Sequence, residues 1–330
     1  MADYTMVYFK GLEKGISVPS VLAQFEIPFL GEMSIKWYGA IIAFGFLLAV
    51  LFGGRQAWKW RMSIDKMLDV LIFGTVGGIL GARLYYVAFE WDYYAHHLDE
   101  IFKIWHGGLA IYGGIIGGLL AAYITCKVNK LNFYNLLDMA GMSLLIGQGI
   151  GRWGNFMNQE AFGINTDLPW GMRSEKTMDY ILSNQELFAE KGITMNPGGY
   201  VHPTFLYESL WCLVGFAILY VILRKFRRFS GQIFLCYGIW YGIGRAIFEG
   251  LRTDSLYIGD TTIRVSQLLS AVVVVAFAAV LVALLVKFIK HPKPIEGVDF
   301  FPEGSRIPKS ERVPQEFTLE TEVENDGSDN

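Results

Sequence analysis

The chain has 330 residues, of which 53% are apolar, 15% aromatic and 18% charged, and 37 are glycine. Length alone suggests two soluble domains, but this composition fits a helical membrane protein instead. The net charge of −3 hides an asymmetry, −6 over residues 291–330 and +3 over the rest, and no basic patch alternates with aromatics as nucleic-acid binding requires.

Residues 1–36 read as an external N-terminal arm, and the first apolar run begins only near Trp37, too late for a secretory signal peptide. Crossing about 30 Å of hydrocarbon takes roughly 20 mainly apolar residues. Seven runs qualify, at 37–54, 67–89, 107–126, 135–152, 204–223, 231–249 and 267–287. The third and seventh contain a full uncharged stretch, while the fourth is short and carries Asp138. Lys and Arg are retained on the cytoplasmic side. The loops with Arg55, Lys59, Arg61 and Lys66, with Lys127 and Lys130, and with Arg224, Lys225, Arg227 and Arg228 are therefore expected inside. The loop at 90–106, with Glu90, Asp92, Asp99 and Glu100, is expected outside. Asp69 and Asp138 are expected as solvated or capping groups near the cytoplasmic ends of their spans.

These elements give an all-α polytopic membrane protein with seven transmembrane helices, its N-terminus outside and its C-terminus cytoplasmic. Spans one to four lie within 37–152 and spans five to seven within 204–290. Residues 153–203, with a short helix near Lys176 to Lys191, form a small external cap. The acidic, Pro-containing stretch 291–330 reads as a disordered cytoplasmic tail. Cys126, Cys212 and Cys236 are odd in number and lie in apolar runs, so they read as small core residues. Zinc spacing is absent, and no metal or cofactor is expected. Gly113/Gly117, Gly114/Gly118 and Gly147/Gly151 have the four-residue spacing that lets helices approach closely.

Charged groups inside a span are costly and point to function. At 1.5 Å per residue, Arg83, Arg152 and Arg245 all lie roughly 21–25 Å above the cytoplasmic ends of their spans. Tyr112 and Glu208 reach about the same level from the other side, with Tyr38 slightly higher. Gly149-Ile150-Gly151-Arg152 is echoed by Gly242-Ile243-Gly244-Arg245. Guanidinium forks match phosphate or carboxylate, so this layer suits an anionic lipid head group. Glu249, four residues after Arg245, is spaced for a helical ion pair.

The stretch Gly151-Arg152-Trp153-Gly154-Asn155-Phe156-Met157-Asn158-Gln159-Glu160-Ala161-Phe162-Gly163 gathers amide, carboxylate and guanidinium groups where the fourth span ends. This pattern, GRxGNFxNxExxG, resembles the defining motif of the prolipoprotein diacylglyceryl transferases, seven-span bacterial enzymes of the cytoplasmic membrane. The resemblance runs from about Ile35 to Ile289. It includes Lys36-Trp37-Tyr38-Gly39, the glycine motif around Tyr112, the run His202-Pro203-Thr204-Phe205-Leu206-Tyr207-Glu208, and the run from Tyr241 to Arg252. Many family members carry His where this chain has Tyr112, and a phenol with a pKa of about 10 is a poor base near neutrality.

The resemblance implies transfer of the diacylglyceryl group of phosphatidylglycerol to the lipobox cysteine of a preprolipoprotein, giving a thioether and glycerol 1-phosphate. It places Arg152 and Arg245 on the departing phosphate. Asn155, Asn158, Glu160, Tyr38, Arg83, Glu208, Glu249 and Arg252 then bind the head group, and His202, ahead of Tyr112, takes the proton, with a water or a thiol pKa shifted by the nearby arginines as further routes. The alternative is a non-catalytic carrier of anionic lipid, a flippase or scramblase, which needs the same arginines but also a polar track to the cytoplasmic leaflet.

Overall fold

The computed structural model describes residues 4–12, 14–27, 31–60, 62–253 and 264–291. The expected tail beyond His291 lies outside them. The arm is not helical: it forms β1 (Tyr4–Phe9), β2 (Ile16–Pro19), β3 (Val21–Ile27) and β4 (Gly31–Lys36). Thr5 and Val7 are buried while Tyr4, Met6 and Tyr8 are exposed, the period of two that a one-sided strand needs. β1 pairs antiparallel with β2, and β3 with β4. The all-α expectation missed these strands because each is short.

Ten helices follow among the described residues. They are α1 (Trp37–Lys59), α2 (Ile64–Phe89), α3 (Trp91–Tyr94), α4 (Ile111–Val128), α5 (Phe133–Asn158), α6 (Glu175–Ser183), α7 (Gln185–Glu190), α8 (Thr204–Val221), α9 (Gln232–Glu249) and α10 (Val265–Lys290). A π-helical turn, Ile222–Phe226, prolongs α8. Between α5 and α6, β5 (Met172–Ser174) pairs with β1, giving a sheet ordered β2-β1-β5. Starts are set by local chemistry: Ser63 accepts from the Lys66 amide, Asn132 accepts from the Asn135 amide, and Ser174 with Thr177 forms a capping box. The expected cap helix is broken at Asn184 into α6 and α7.

Five helices, α1, α2, α4, α8 with its π turn, and α10, are long and apolar enough to cross a membrane. α5 and α9 are less apolar because their polar side chains are enclosed by protein: α5 packs against α1, α8 and α9, and buries Asn135 and Asp138. α2 and α4 meet through interleaved glycines, and a Cβ at Gly81 would lie 2.8 Å from Gly117 Cα. One core lies in the bundle around Trp60, Met142, Leu145 and Leu219. A second, around Val7, Phe162, Met172, Ile181 and Phe205, joins the arm, the cap and the start of α8.

Of the two roles expected for Asp138, solvated or capping, the structure shows capping. It is fully buried, 2.9 Å from Arg227, and caps α9 by accepting from the Gly231 and Phe234 amides. Arg227, expected as a loop charge, is equally buried, donates to Asn135 Oδ1 and stacks over the Trp60 ring at 4.5 Å. A charge taken out of water needs a partner and filled hydrogen bonds, and here α5, α1 and the turn before α9 supply both. Asp69 is half-buried and accepts from Asn129 Nδ2. Cys126, Cys212 and Cys236 are free thiols.

Candidate active site

α5 does not stop where the apolar run ends. The helix continues through Asn158, so Arg152, Asn155 and Asn158 share its last two turns, and the chain then reverses through Gln159 and Ala161, both with positive φ. The reversal brings the Glu160 carboxylate back under α5, where it accepts from Asn155 Nδ2 at 2.9 Å and from Asn158 Nδ2 at 3.3 Å. Two amides therefore fix both carboxylate oxygens. Beside them lies a cavity of about 430 Å³ lined by Asn155, Asn158, Glu160, Lys176, Tyr180 and Arg252, among others.

Arg152 pairs with Glu208 of α8 at 3.0 Å. Glu208 is buried, and its Oε1 has no hydrogen-bond partner among the described residues. Burying a carboxylate oxygen without a donor is costly. Arg245 pairs with Glu249 of its own helix at 2.7 Å, as the four-residue spacing predicts, and approaches Ser266 Oγ at 3.5 Å. Tyr38 lies against α5, where a Cβ at Gly154 would be 3.0 Å from Tyr38 Cδ2.

Three separate stretches converge at Gly163. Its amide donates to the His202 carbonyl, the Ile164 amide donates to the Leu251 carbonyl, and the His202 amide donates to the Ile164 carbonyl. A Cβ at Gly163 would lie 2.8 Å from His202 Cβ and 3.0 Å from the Leu251 oxygen. The end of the α5 motif, the entry to α8 and the exit from α9 are thus laced together by backbone bonds.

The family profile described as prolipoprotein diacylglyceryl transferase matches residues 25–283, which contain the whole of this convergence. The chain belongs to the prolipoprotein diacylglyceryl transferase family. A phosphatidylglycerol–prolipoprotein diacylglyceryl transferase of Listeria monocytogenes serovar 1/2a is 46% identical over 254 residues, covering 77% of this chain and 87% of the relative. Proteins of the same name from Listeria welshimeri serovar 6b and Streptococcus equi subsp. equi are 46% and 41% identical, over 74% and 83% of this chain and 84% and 97% of the relatives. With the apolar helices, this family membership makes the chain a multi-pass protein of the bacterial cytoplasmic membrane.

In this transferase-family chain the predicted residues do not all meet. Asn155, Asn158, Glu160 and Arg252 line one cavity. Arg83 is used elsewhere: it donates to the carbonyls of Glu100, Ile101, Gly107 and Gly108, at 2.6–2.9 Å, and so ties the loop before α4 to α2. Four donors spent on backbone oxygens leave little of its fork for a head group. Tyr112 is exposed on the first turn of α4, and its hydroxyl makes no hydrogen bond to another described residue. His202 Nδ1 is 3.1 Å from Tyr207 Oη, which accepts from Trp170 Nε1 at 2.7 Å. Burial holds the His202 pKa below the ordinary imidazole value. Lys176, on α6, escaped the sequence reading because nothing in the cap's mixed polarity sets it apart from other surface lysines.

Proposed function

We propose that the chain transfers the diacylglyceryl group of phosphatidylglycerol to the lipobox cysteine of a prolipoprotein, the first step of lipoprotein maturation. The substrate sulfur forms a C–S bond to the glyceryl carbon, the C–O bond to phosphate breaks, and glycerol 1-phosphate leaves. The thiol must first lose its proton, and charge gathers on the departing phosphate, where fixed cations lower the barrier. One observation carries this reading: Arg152, Asn155 and Asn158 share the last two turns of α5, the two amides hold the Glu160 carboxylate just past the helix end, and Arg252 lines the cavity beside them.

In this scheme Arg152 and Arg245 receive the phosphate, with Glu208 and Glu249 orienting their guanidinium groups. Asn155, Asn158, Glu160 and Arg252 bind the polar head, and Tyr38 covers α5 at its rim. His202 takes the thiol proton, with Tyr112 as the alternative. Arg83 acts through the loop it ties, as a positioning residue.

The topology that serves this reaction has seven spans, with the site facing outward. Parity supports it. β1, before α1, pairs with β5, after α5, so both lie on one side, and the number of crossings between them is even. α1, α2 and α4 alone would make three, so α5 is the fourth. α9 runs alongside α10, with Gln267 bonded to the Ala246 carbonyl at one end, and both lining a cavity at the other.

The test is mass spectrometry on purified protein with phosphatidylglycerol and a lipobox peptide. A diacylglyceryl mass gain on the cysteine, absent with Arg152→Ala and with a Cys→Ser peptide, is the expected result. Lipid binding without peptide modification would favour a carrier.

A further inference from the structure

A second cavity, of about 600 Å³, lies at the opposite end of the bundle from Arg152, among the start of α5, the turn before α9 and the last turns of α10. Its walls are apolar and aromatic, including Phe234, Phe277, Val280 and Leu284, and its rim carries Lys287 and His291. Among the described residues, no carboxylate lines it. The nearby Asp138 faces α9 and is fully engaged by Arg227 and the Gly231 and Phe234 amides. Val280 and Leu284 are exposed on the outside of α10, so the space opens sideways along the helix surface.

The size falls within the roughly 300–1,000 Å³ of cavities that enclose small ligands or chains. A trough whose described lining is apolar with a basic rim and no acid is complementary to a hydrocarbon chain ending in an anion. Withdrawing methylenes from water is favourable, yet a chain already in a bilayer gains little of this by moving sideways. Selectivity must therefore come from the rim. An ammonium and an imidazole at the level where a span meets basic loops match a lipid phosphate.

We infer that this cavity holds one acyl chain of an anionic phospholipid, with its phosphate at Lys287 and His291, as a binding site separate from the transferase site. Naming the leaflet as cytoplasmic rests on the seven-span topology above; the site itself does not.

The test uses the full chain in phosphatidylcholine nanodiscs doped with phosphatidylglycerol carrying a diazirine near the end of one acyl chain, or with phosphatidylcholine carrying the same group. After irradiation, labelled positions are mapped by peptide mass spectrometry. The expected result is labelling of Phe234, Phe277 or Leu284 at least threefold stronger with the anionic probe. Lys287→Glu brings the two probes level, and Leu284→Trp, which fills the cavity, lowers labelling by both. Equal labelling by the two probes in the wild type, no labelling at these positions, or an unchanged preference in Lys287→Glu overturns the inference. Labels on the Arg152 end of α5 and α8 report the transferase site, and peptide modification is assayed separately, so failure of one reading is distinguishable from failure of the other.

Discussion

Trp211 and Trp240 each donate their indole N–H to the other's backbone carbonyl, at 3.1 Å both ways, with their rings stacked 4.2 Å between centroids. Each ring also covers a glycine one turn beyond its partner: Trp240 lies over Gly215 and Trp211 over Gly244. The exchange locks α8 to α9 at a fixed rotation, and the residue after Gly244 is Arg245. A side chain at Gly244 must push Trp211 away. Gly244→Val is expected to cost about 1–3 kcal/mol through overpacking and to lower turnover. Gly54→Ala, where an added Cβ meets open space, should change neither. Thermal unfolding and the peptide assay on both variants check this.

Arg152 and Glu208 make the second contact to test. Lysine at 152 keeps the charge and loses the planar fork, so Arg152→Lys should lower kcat/KM by about tenfold or more, a barrier change of at least roughly 1.4 kcal/mol. Near-normal turnover would sink the bidentate role. Glu208→Gln retains the shape and one acceptor, and should be milder than Glu208→Ala in the same assay.

The proton carrier leaves a signature in pH. Burial disfavours the imidazolium of His202, so its pKa lies below the usual value and the ring is neutral near pH 7. If it accepts the thiol proton, kcat/KM rises with pH through that lowered value and the acid limb lies below about 6.5. His202→Gln should remove the limb, while Tyr112→Phe should leave it in place. The linked effect on folding has the same sign: the unfolded chain binds the proton more readily, so stability falls as pH drops below the ordinary imidazole value. A rate profile that keeps its acid limb in His202→Gln transfers the role elsewhere.

At the other end of the bundle, Asp138→Ala strands the Arg227 guanidinium in a buried site. Removing one member of a buried pair costs about 3–5 kcal/mol, so this variant should unfold at markedly lower temperature in detergent. Replacing both members, as Asp138→Leu with Arg227→Met, should recover part of the loss. A double variant no better than the single one would show that the capping bonds to Gly231 and Phe234 matter more than the charge pair.

Gly163→Val is expected to separate the three laced stretches, because its branched side chain meets His202 Cβ and the Leu251 carbonyl. Activity should collapse while the bulk of the helices stays folded. Circular dichroism alongside the peptide assay distinguishes this from general unfolding.

Much of the helical framework was legible because apolar runs of span length have few other uses, and the seven long helices lie on the seven predicted runs. The Arg245–Glu249 pair was legible for the same local reason, since four residues bring two side chains onto one helical face. Contacts that depend on distant partners were not. Nothing near Asp138 announces Arg227, 89 residues later, as its partner. Arg83 looked like a head-group ligand because depth along a helix says nothing about which way the side chain turns, and the carbonyls it meets belong to a loop of no distinctive composition. β1 and β5 are too short to signal pairing, and five helices, α1 to α5, separate them in the chain.

That last pairing has a consequence for biosynthesis. Val7 sits opposite Ser174, so one edge of β1 stays unpaired until α1 to α5 and the start of the cap have been made. The cap core, which includes Val7, cannot close before then, and the Gly163 junction further requires Leu251, near the end of α9. The cap sheet and the Gly163 junction therefore set only once the chain has been made through the end of α9.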